Sequence, residues 1–188
     1  MKNNRSCTEV CWDTFIHPLF DNRPIYLAAT EKGLCRITWP TESFDTLQSW
    51  VLKQIPDALL IENGLPLAEA AEQLRHYFDG RRDAFSLPLD MRGTPFQISV
   101  WQALTEIPLG QTRSYSDIAV AVGSPAAVRA VGAANGANPI PIVVPCHRVI
   151  GKNAALTGFR GGIMTKQKLL EREGFHDYTG KAHARFRF

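Results

Sequence analysis

The stretch SYSDIAVAVGSPAAVRAVGAANG, residues 114–136, decides the fold of the second half of the chain. Ser114 is a typical helix cap, and it precedes an apolar segment that we expect to be helical to about residue 122. Gly123 turns the chain, and Ser124 and Pro125 then begin a second helix that ends near residues 135–136. Two short helices joined at such a turn predict a helix–turn–helix.

The second of these helices is unusual because Arg129 is its only long polar side chain. Its other residues are mostly small: Ala126, Ala127, Ala130, Gly132, Ala133 and Ala134. A helix of this kind can bring its backbone close to a narrow minor groove of DNA, or it can pack tightly against another helix. Periodicity alone leaves both alternatives open, and an exposed helix arginine is often merely solvated.

Upstream, the residues Thr94-Pro95-Phe96-Gln97 combine a cap, a proline at the first helical position and a capping-box glutamine. They predict a helix to about residue 106. In the first half, residues 25–30 and 34–39 predict a strand hairpin, and residues 44–55 and 66–78 have apolar side chains at helical spacing. The predicted fold is an α/β N-terminal domain, residues 1–90, followed by a mainly α-helical domain, residues 91–176, with the helix–turn–helix. Residues 177–188 are a basic and aromatic tail that we expect to be flexible.

Charge is distributed unevenly between these two halves. Residues 1–90 hold 9 Lys and Arg against 13 Asp and Glu, whereas residues 91–188 hold 12 against 5. A basic half suggests a polyanionic partner. No apolar run approaches the roughly 20 residues that span a bilayer, and the polar first residues lack the apolar core of a secretory signal. We therefore expect a cytoplasmic protein with no membrane partner.

The four cysteines, Cys7, Cys11, Cys35 and Cys146, are too scattered to suggest a disulfide framework. Cys7 and Cys11, with Cys35, His17 or His76, offer zinc ligands. However, the usual ligand spacings are absent, so we predict no metal site.

The chemistry centres on residues 140–151, IPIVVPCHRVIG. Residues 142–144 predict a buried strand or extended run, which Pro145 ends so that Cys146 is presented. A thiolate suits attack at saturated carbon if its pKa is lowered, and a histidine oriented by an acid can take the thiol proton. His147 is adjacent and Glu173 follows a later helix. Because neighbours on a strand point to opposite faces, contact between Cys146 and His147 requires a turn or a bridging water.

The segment from Pro145 to Ile150, PCHRVI, resembles the active-site signature of the O6-alkylguanine-DNA alkyltransferases, also called methylated-DNA–protein-cysteine methyltransferases. The resemblance covers about residues 93–175. It includes TPFQ at 94–97, Tyr115, the helix 126–132, NGANP at 135–139, Gly161-Gly162, and Lys166 with Glu173. The N-terminal half resembles the family's variable domain in position and size only.

The resemblance implies a role for each of several residues. Cys146 is the alkyl acceptor, His147 is the base that acts through a water, and Glu173 orients His147. Tyr115 donates a proton to guanine and crowds the 3′ phosphate. Asn138 tethers the two helical parts through backbone hydrogen bonds.

The family pattern also implies which residues contact the base and the DNA. The backbone of Val149 and Arg160 reads the guanine edge, while Phe159 and Leu156 line the pocket. Phe159 replaces a frequent tyrosine, and Arg160 stands where many relatives have serine or alanine. The resemblance therefore does not determine how large an alkyl group the pocket accepts. Arg129 fills the stack where the damaged nucleotide leaves it. Further DNA contacts fall to Ser116, Gln97, Ala127, Ala130 and Gly132.

The expected function is direct DNA repair. An alkyl group moves from O6 of guanine, or from O4 of thymine, in flipped-out DNA to Cys146, and the thioether product consumes the protein. No cofactor is expected, and a monomer suffices. We also expect the thiol to titrate below the free value of about 8.5, through a nearby imidazolium. Two alternatives remain: a helix–turn–helix regulator or lesion sensor with a structural cysteine, and a cysteine hydrolase that turns over.

Overall fold

The computed structural model describes residues 7–179, and the chain divides into two compact units, Met1–Arg92 and Gly93–Phe188. The division lies two residues after the boundary predicted from the sequence. Among the described residues, every helix is too short or too polar to span a membrane.

The first unit is built on a four-stranded sheet in the order β3-β2-β1-β4. Strand β1 is antiparallel to β2 and parallel to β4, while β2 and β3 form the predicted antiparallel hairpin. Both predicted helices are confirmed, although a 3₁₀ turn, Leu65–Leu67, replaces the first turn of the second. The elements are β1 (Thr8–Phe15), β2 (Ile25–Thr30), β3 (Gly33–Ile37), α1 (Phe44–Gln54), β4 (Ala58–Glu62) and α2 (Ala68–Phe78).

The core of this unit lies between the sheet and α1. Leu47 and Val51 of α1 are fully buried against Val10 of β1 and Ala28 of β2. Each large aliphatic side chain buried in this way stabilises the fold by roughly 1.5–3 kcal/mol. The apolar spacing that predicted α1 is therefore the spacing of its buried face.

The second unit is mainly helical, so the prediction of an α/β domain followed by a mainly α-helical domain is confirmed. Its elements are α3 (Pro95–Thr105), β5 (Arg113–Ser114), α4 (Tyr115–Ala121), α5 (Val128–Gly136), β6 (Val149–Ile150) and α6 (Ile163–Arg172). Thr94 caps α3 in a complete capping box with Gln97, and Ser114 caps α4 in another with Asp117. Helices α4 and α5 follow each other and pack together, as a helix–turn–helix requires.

Helix α5 begins later than predicted. It starts at Val128, and the residues before it form a turn in which Ala127 N donates to Ser124 O at 2.8 Å. The cap and proline signals at Ser124 and Pro125 therefore mark the turn and not the first helical residues. Ala126 and Ala127 consequently lie outside the helix.

The prediction of an extended run at residues 142–144 is wrong. Ile142 has a positive φ of 78°, Val144 N donates to Ile140 O at 2.9 Å, and Pro141 pairs with Val144 across a tight turn. A β-branched residue with positive φ is strained, so surrounding contacts must hold it. Residues 140–144 are buried as expected, but their β-branched composition reflects that burial and not a strand.

The prediction of a flexible tail from residue 177 is also wrong for its first residues. Tyr178 packs beside Ile150, Leu156 and Leu170, and Thr179 N donates to Ala154 O at 3.0 Å. Residues 177–179 thus belong to the second unit, because an aromatic side chain there finds an apolar surface. The rest of the predicted tail, residues 180–188, lies outside the described residues.

Candidate active site

Cys146, His147 and Arg148 form a buried 3₁₀ turn that leads directly into β6. The turn that the sequence required for a cysteine and histidine to act together is therefore present. Strand β6 pairs in parallel with β5, so Val149 lies opposite Arg113 and Ile150 opposite Ser114. This pairing brings the turn of Cys146, His147 and Arg148 to the N-terminal end of α4, which begins at Tyr115.

Two asparagines hold the backbone on either side of the cysteine. Asn138 Nδ2 donates to Val144 O at 2.8 Å, and Asn138 Oδ1 accepts from Ile140 N at 3.0 Å. Asn135 Nδ2 donates to Cys146 O at 3.4 Å. Asn138 thus bonds to the backbone at both ends of the turn at residues 140–144, and its role as a tether between the two helical parts stays a prediction. Asn135 is a site residue that the sequence offered only as part of a motif.

The thiol of Cys146 is buried in the resting protein. Burial raises its pKa above the ordinary value, whereas a hydrogen bond with Asn138 and the charges of Lys166 and Arg160 act to lower it. The prediction of a thiol that titrates below its ordinary value is therefore wrong for this state. The cost of removing a thiolate from water exceeds the stabilisation that its neighbours provide.

His147 and Glu173 are in direct contact. His147 Nε2 lies 2.8 Å from Glu173 Oε1, and neither side chain is exposed to solvent. Burial lowers the pKa of His147, although Glu173 opposes the effect, so the imidazole is neutral. Burial would raise the pKa of Glu173, but His147 and Arg148 hold it far below its ordinary value. The pair is thus a neutral histidine beside an ionised carboxylate.

Arg148 and Lys166 are buried cations in this site to which the sequence assigned no role. Arg148 Nε and NH2 both donate to the Glu173 carboxylate, and Arg148 NH1 donates to Ile107 O. Lys166 Nζ donates to Val149 O at 2.5 Å and lies over the Phe159 ring. Burial lowers the pKa of Lys166 to about 8. A buried cation needs a partner. The sequence signal for Arg148 was its place in a mostly apolar run before Val149 and Ile150, whereas Lys166, between Thr165 and Gln167, gave no such signal.

Tyr115 lies at the start of α4 beside the cysteine. Burial raises its pKa, against the effect of a hydrogen bond in which Thr157 Oγ1 donates to Tyr115 OH at 3.2 Å, and the charge of Cys146 raises it further. The phenol therefore stays protonated at neutral pH. Gly132 of α5 faces this ring, since a Cβ there would lie 3.9 Å from it.

The residues predicted to line the pocket differ in how far they are buried. Leu156 is buried, while Phe159 and Arg160 are partly exposed. Arg160 is close enough to act electrostatically on Cys146. Val149 is buried, and its carbonyl already accepts from Lys166. A carbonyl has two lone pairs, so one remains for a base.

The residues predicted to contact DNA fall into two groups. Arg129 and Ala130 lie on the exposed face of α5, and Ala127 is partly exposed just before it. Ser116 and Gln97 lie in first turns of helices: Ser116 Oγ is 2.8 Å from Ser114 Oγ, and Gln97 Oε1 accepts from Thr94 N at 2.9 Å.

Helix α5 packs closely on one face and leaves small residues exposed on the other. Its buried face includes Ala134, whose carbonyl accepts from Trp101 Nε1 at 2.8 Å, so small residues permit close packing there. Its exposed face carries Arg129, Ala130 and Ala133. Close packing and an open small-residue surface therefore coexist on one helix.

The other cysteines lie in the first unit. Cys35 is buried, and burial and the charge of Asp90 raise its pKa to about 12, which makes it unreactive. Cys7 is exposed and Cys11 partly so. Within residues 7–179, no cluster of three or more His, Cys, Asp or Glu side chains is arranged to hold a metal ion.

Comparison with known proteins gives matches over both units. Residues 95–175 match the 6-O-methylguanine DNA methyltransferase DNA binding domain, and residues 23–91 match the ribonuclease-like domain of the same family. The inducible methylated-DNA–protein-cysteine methyltransferase of Bacillus subtilis is 49% identical over 155 residues, which are 82% of this chain and 87% of that protein.

Solved structures agree with the sequence matches. The Mycobacterium tuberculosis O6-methylguanine methyltransferase is 41% identical, with a TM-score of 0.73 over 87% of this chain and 92% of that one. The crystal structure of M. tuberculosis OGT in complex with DNA has a TM-score of 0.72 and 41% identity, over 88% and 92% of the two chains.

Proposed function

Because the chain belongs to the 6-O-methylguanine DNA methyltransferase family and is a methylated-DNA–protein-cysteine methyltransferase, we propose that Cys146 is the residue that accepts the alkyl group. The protein repairs DNA by alkyl transfer to a cysteine. We assign the acceptor to Cys146 because it alone among the four cysteines lies beside a buried histidine–carboxylate pair. Its substrate is O6-alkylguanine in duplex DNA.

The resting site is a neutral thiol beside a neutral imidazole, which is suited to proton transfer. Glu173 occupies Nε2 of His147, so Nδ1 is the nitrogen that takes the thiol proton through a bridging water. The imidazolium that forms is stabilised by the ionised Glu173, as in other nucleophile–histidine–acid sites. The thiolate therefore exists only as the reaction proceeds, and Lys166 and Arg160 support its charge.

The group transfer then forms one bond and breaks another. Cys146 Sγ attacks the alkyl carbon, the bond from that carbon to O6 breaks, and its electrons remain on guanine. Tyr115 is protonated at neutral pH and donates the proton that guanine requires. The proton taken up by His147 then returns through water to the Tyr115 phenolate, so the net change is transfer of the alkyl group to sulfur and of the thiol proton to guanine. The neutral thioether is not hydrolysed at useful rates, so each molecule acts once.

DNA binding falls to the second unit, whose residues carry the excess of basic side chains. The alkyl carbon is inaccessible inside a duplex, so the nucleotide must leave the stack. We assign helices α4 and α5 to a helix–turn–helix whose exposed small residues approach the minor groove, with Arg129 in the gap. All proposed groups lie between Gln97 and Glu173 of one chain, so a monomer suffices.

The test is the intact mass of the protein after incubation with duplex DNA that contains one O6-methylguanine. We expect one added methyl group per molecule, located on Cys146 by peptide mapping, and none in Cys146→Ser, which still binds DNA. Cys35→Ser is the matched control and should be methylated normally. A methyl group on Cys7, Cys11 or Cys35 would refute the assignment. An unchanged mass would indicate a regulator, and repeated turnover without a retained group would indicate a hydrolase.

A further inference from the structure

Arg148 binds the Glu173 carboxylate through several hydrogen bonds, whereas the proposed mechanism needs only the contact between Glu173 and His147. Arg148 Nε lies 2.9 Å from Oε2 and 3.2 Å from Oε1, and NH2 lies 2.9 Å from Oε1. Both side chains are almost completely buried, with the carboxylate wholly so. Two donors in a fixed plane against two oxygens determine the orientation of a carboxylate, which a single contact cannot do.

The same guanidinium is anchored at its other end. Arg148 NH1 donates to the carbonyl of Ile107, which follows the C-terminal end of α3. Arg148 itself lies in the turn beside His147, whereas Glu173 follows α6. Arg148 thus connects three segments of the unit, and Glu173 Oε1 accepts from this arginine while it contacts His147 Nε2 at 2.8 Å.

We propose that Arg148 is a positioning residue for alkyl transfer: it holds the Glu173 carboxylate in the one orientation from which Oε1 reaches His147. Arg148 touches neither the thiol nor the substrate and acts through Glu173. Without it, the buried carboxylate loses its two-donor partner, and the contacts that remain include a neutral imidazole at 2.8 Å and the N–H of Gly110 at 3.5 Å. Such a carboxylate takes up a proton more readily and then no longer orients His147.

Loss of the Arg148 charge shifts the pKa values of His147 and Glu173 in the same direction. The charged groups that act on Glu173 include His147 and Arg148, and those that act on His147 include Glu173, Arg148 and Lys166. The positive charge of Arg148 lowers the pKa of both His147 and Glu173. Removal of Arg148 therefore raises both pKa values. As the solution is acidified, the rate of transfer should begin to fall at a higher pH in the variant than in wild type.

The experiment measures single-turnover transfer from the free base O6-benzylguanine between pH 5 and 9, by intact mass, in the full-length protein. The inference rests on the proposed function, so wild type must first acquire the benzyl group on Cys146. In Arg148→Met, the ratio of the rate at pH 6 to that at pH 8 should fall by roughly threefold, because loss of the neighbouring positive charge raises the pKa of His147 and leaves more of the imidazole protonated at pH 6.

Arg148→Lys retains the charge but loses the two-donor geometry, so its overall rate should fall while its pH profile stays close to wild type. If Arg148→Met fails to fold, Arg148→Lys still tests the proposal, because a loss of rate in a folded Arg148→Lys protein shows that the two-donor geometry is required. The matched control is Arg92→Lys, which alters an arginine with two donors on Asp90 in the first unit. It should change neither quantity.

Three outcomes are distinguishable. A wild type that is not labelled on Cys146 overturns the proposed function itself. If Arg148→Met or Arg148→Lys has a lower melting temperature but keeps the wild-type rate and pH profile, Arg148 only stabilises the fold and the proposal is wrong. If Glu173→Gln also keeps the wild-type rate, the carboxylate that Arg148 is proposed to position has no part in transfer, and the proposal is equally wrong.

Discussion

Replacement of Arg129 by alanine separates base extrusion from cysteine chemistry. Arg129 lies on the exposed face of α5, while the buried face carries Val131, Ala134 and Asn135. Truncation of an exposed side chain shifts the free energy of unfolding by no more than about 0.5 kcal/mol. Any large effect on repair therefore reports on DNA and not on the fold.

The size of the effect depends on what the side chain does on DNA. If Arg129 fills the vacated stack, its loss leaves an unstacking cost on the order of a few kcal/mol uncompensated, which corresponds to a roughly hundredfold slower reaction with duplex DNA. Reaction with the free base O6-benzylguanine needs no extrusion and should not change. An arginine that only neutralises a phosphate would instead weaken all DNA binding and lower the salt slope by about one charge.

The assay is the ratio of the single-turnover rate with an O6-methylguanine duplex to the rate with the free base. Arg113→Ala is the matched control, because Arg113 is an equally charged, exposed residue of the same unit that bonds locally to Thr112 O. It should leave the ratio unchanged. Ala130→Leu, on the exposed face of α5, should lower the ratio by blocking close approach. An unchanged ratio in Arg129→Ala would remove Arg129 from the mechanism.

Two further predictions follow from the buried charges. The pKa values of Glu173 and His147 are both lowered in the folded protein, so the stability that each contributes is present above its unfolded value and is lost on acidification. Urea unfolding should therefore show the free energy of unfolding falling below about pH 6.5 and further below about pH 4.3. The fall below about pH 4.3 should be less steep in Glu173→Gln, which lacks the titrating carboxylate; parallel curves for the two proteins in that range would contradict the pairing. Lys166 has a pKa of about 8, and its charge lowers that of Cys146. Lys166→Met should slow iodoacetamide labelling of Cys146 at pH 7, with a difference that narrows above pH 8; equal rates at pH 7 would show that Lys166 does not act on the thiol.

Local signals in the sequence predicted the helices of the second unit well. The capping boxes at Thr94 and Ser114 involve residues three apart, so the sequence alone contains both partners. The start of α5 was misplaced because Ser124 and Pro125 are favourable in a turn as well as at a helix start. The turn at Ile142 could not be predicted, since a β-branched residue adopts positive φ only under tertiary constraint.

The candidate site shows the same division between local and distant information. Cys146, His147 and Glu173 were found through a motif, whereas the roles of Arg148 and Lys166 depend on partners 25 and 17 residues away in sequence. The first unit is similar, because β1 and β4 pair with each other across more than 40 residues and neither was predicted. No spacing rule identifies such partners before the fold brings them together.

The protonation states of the site bear on a protein that acts once. A thiolate that existed permanently would react with any small electrophile that reached it, and each such event would consume a molecule without repair. In the resting protein, burial raises the pKa of Cys146 and lowers that of His147, so neither partner is charged. The ionised carboxylate beside this pair is Glu173, which Arg148 holds. On the proposed mechanism, reactivity therefore arises when a bound base places its alkyl carbon at the sulfur and Tyr115 is available to protonate the leaving guanine. The selectivity of the reaction then comes from the same burial that makes the isolated thiol a poor nucleophile.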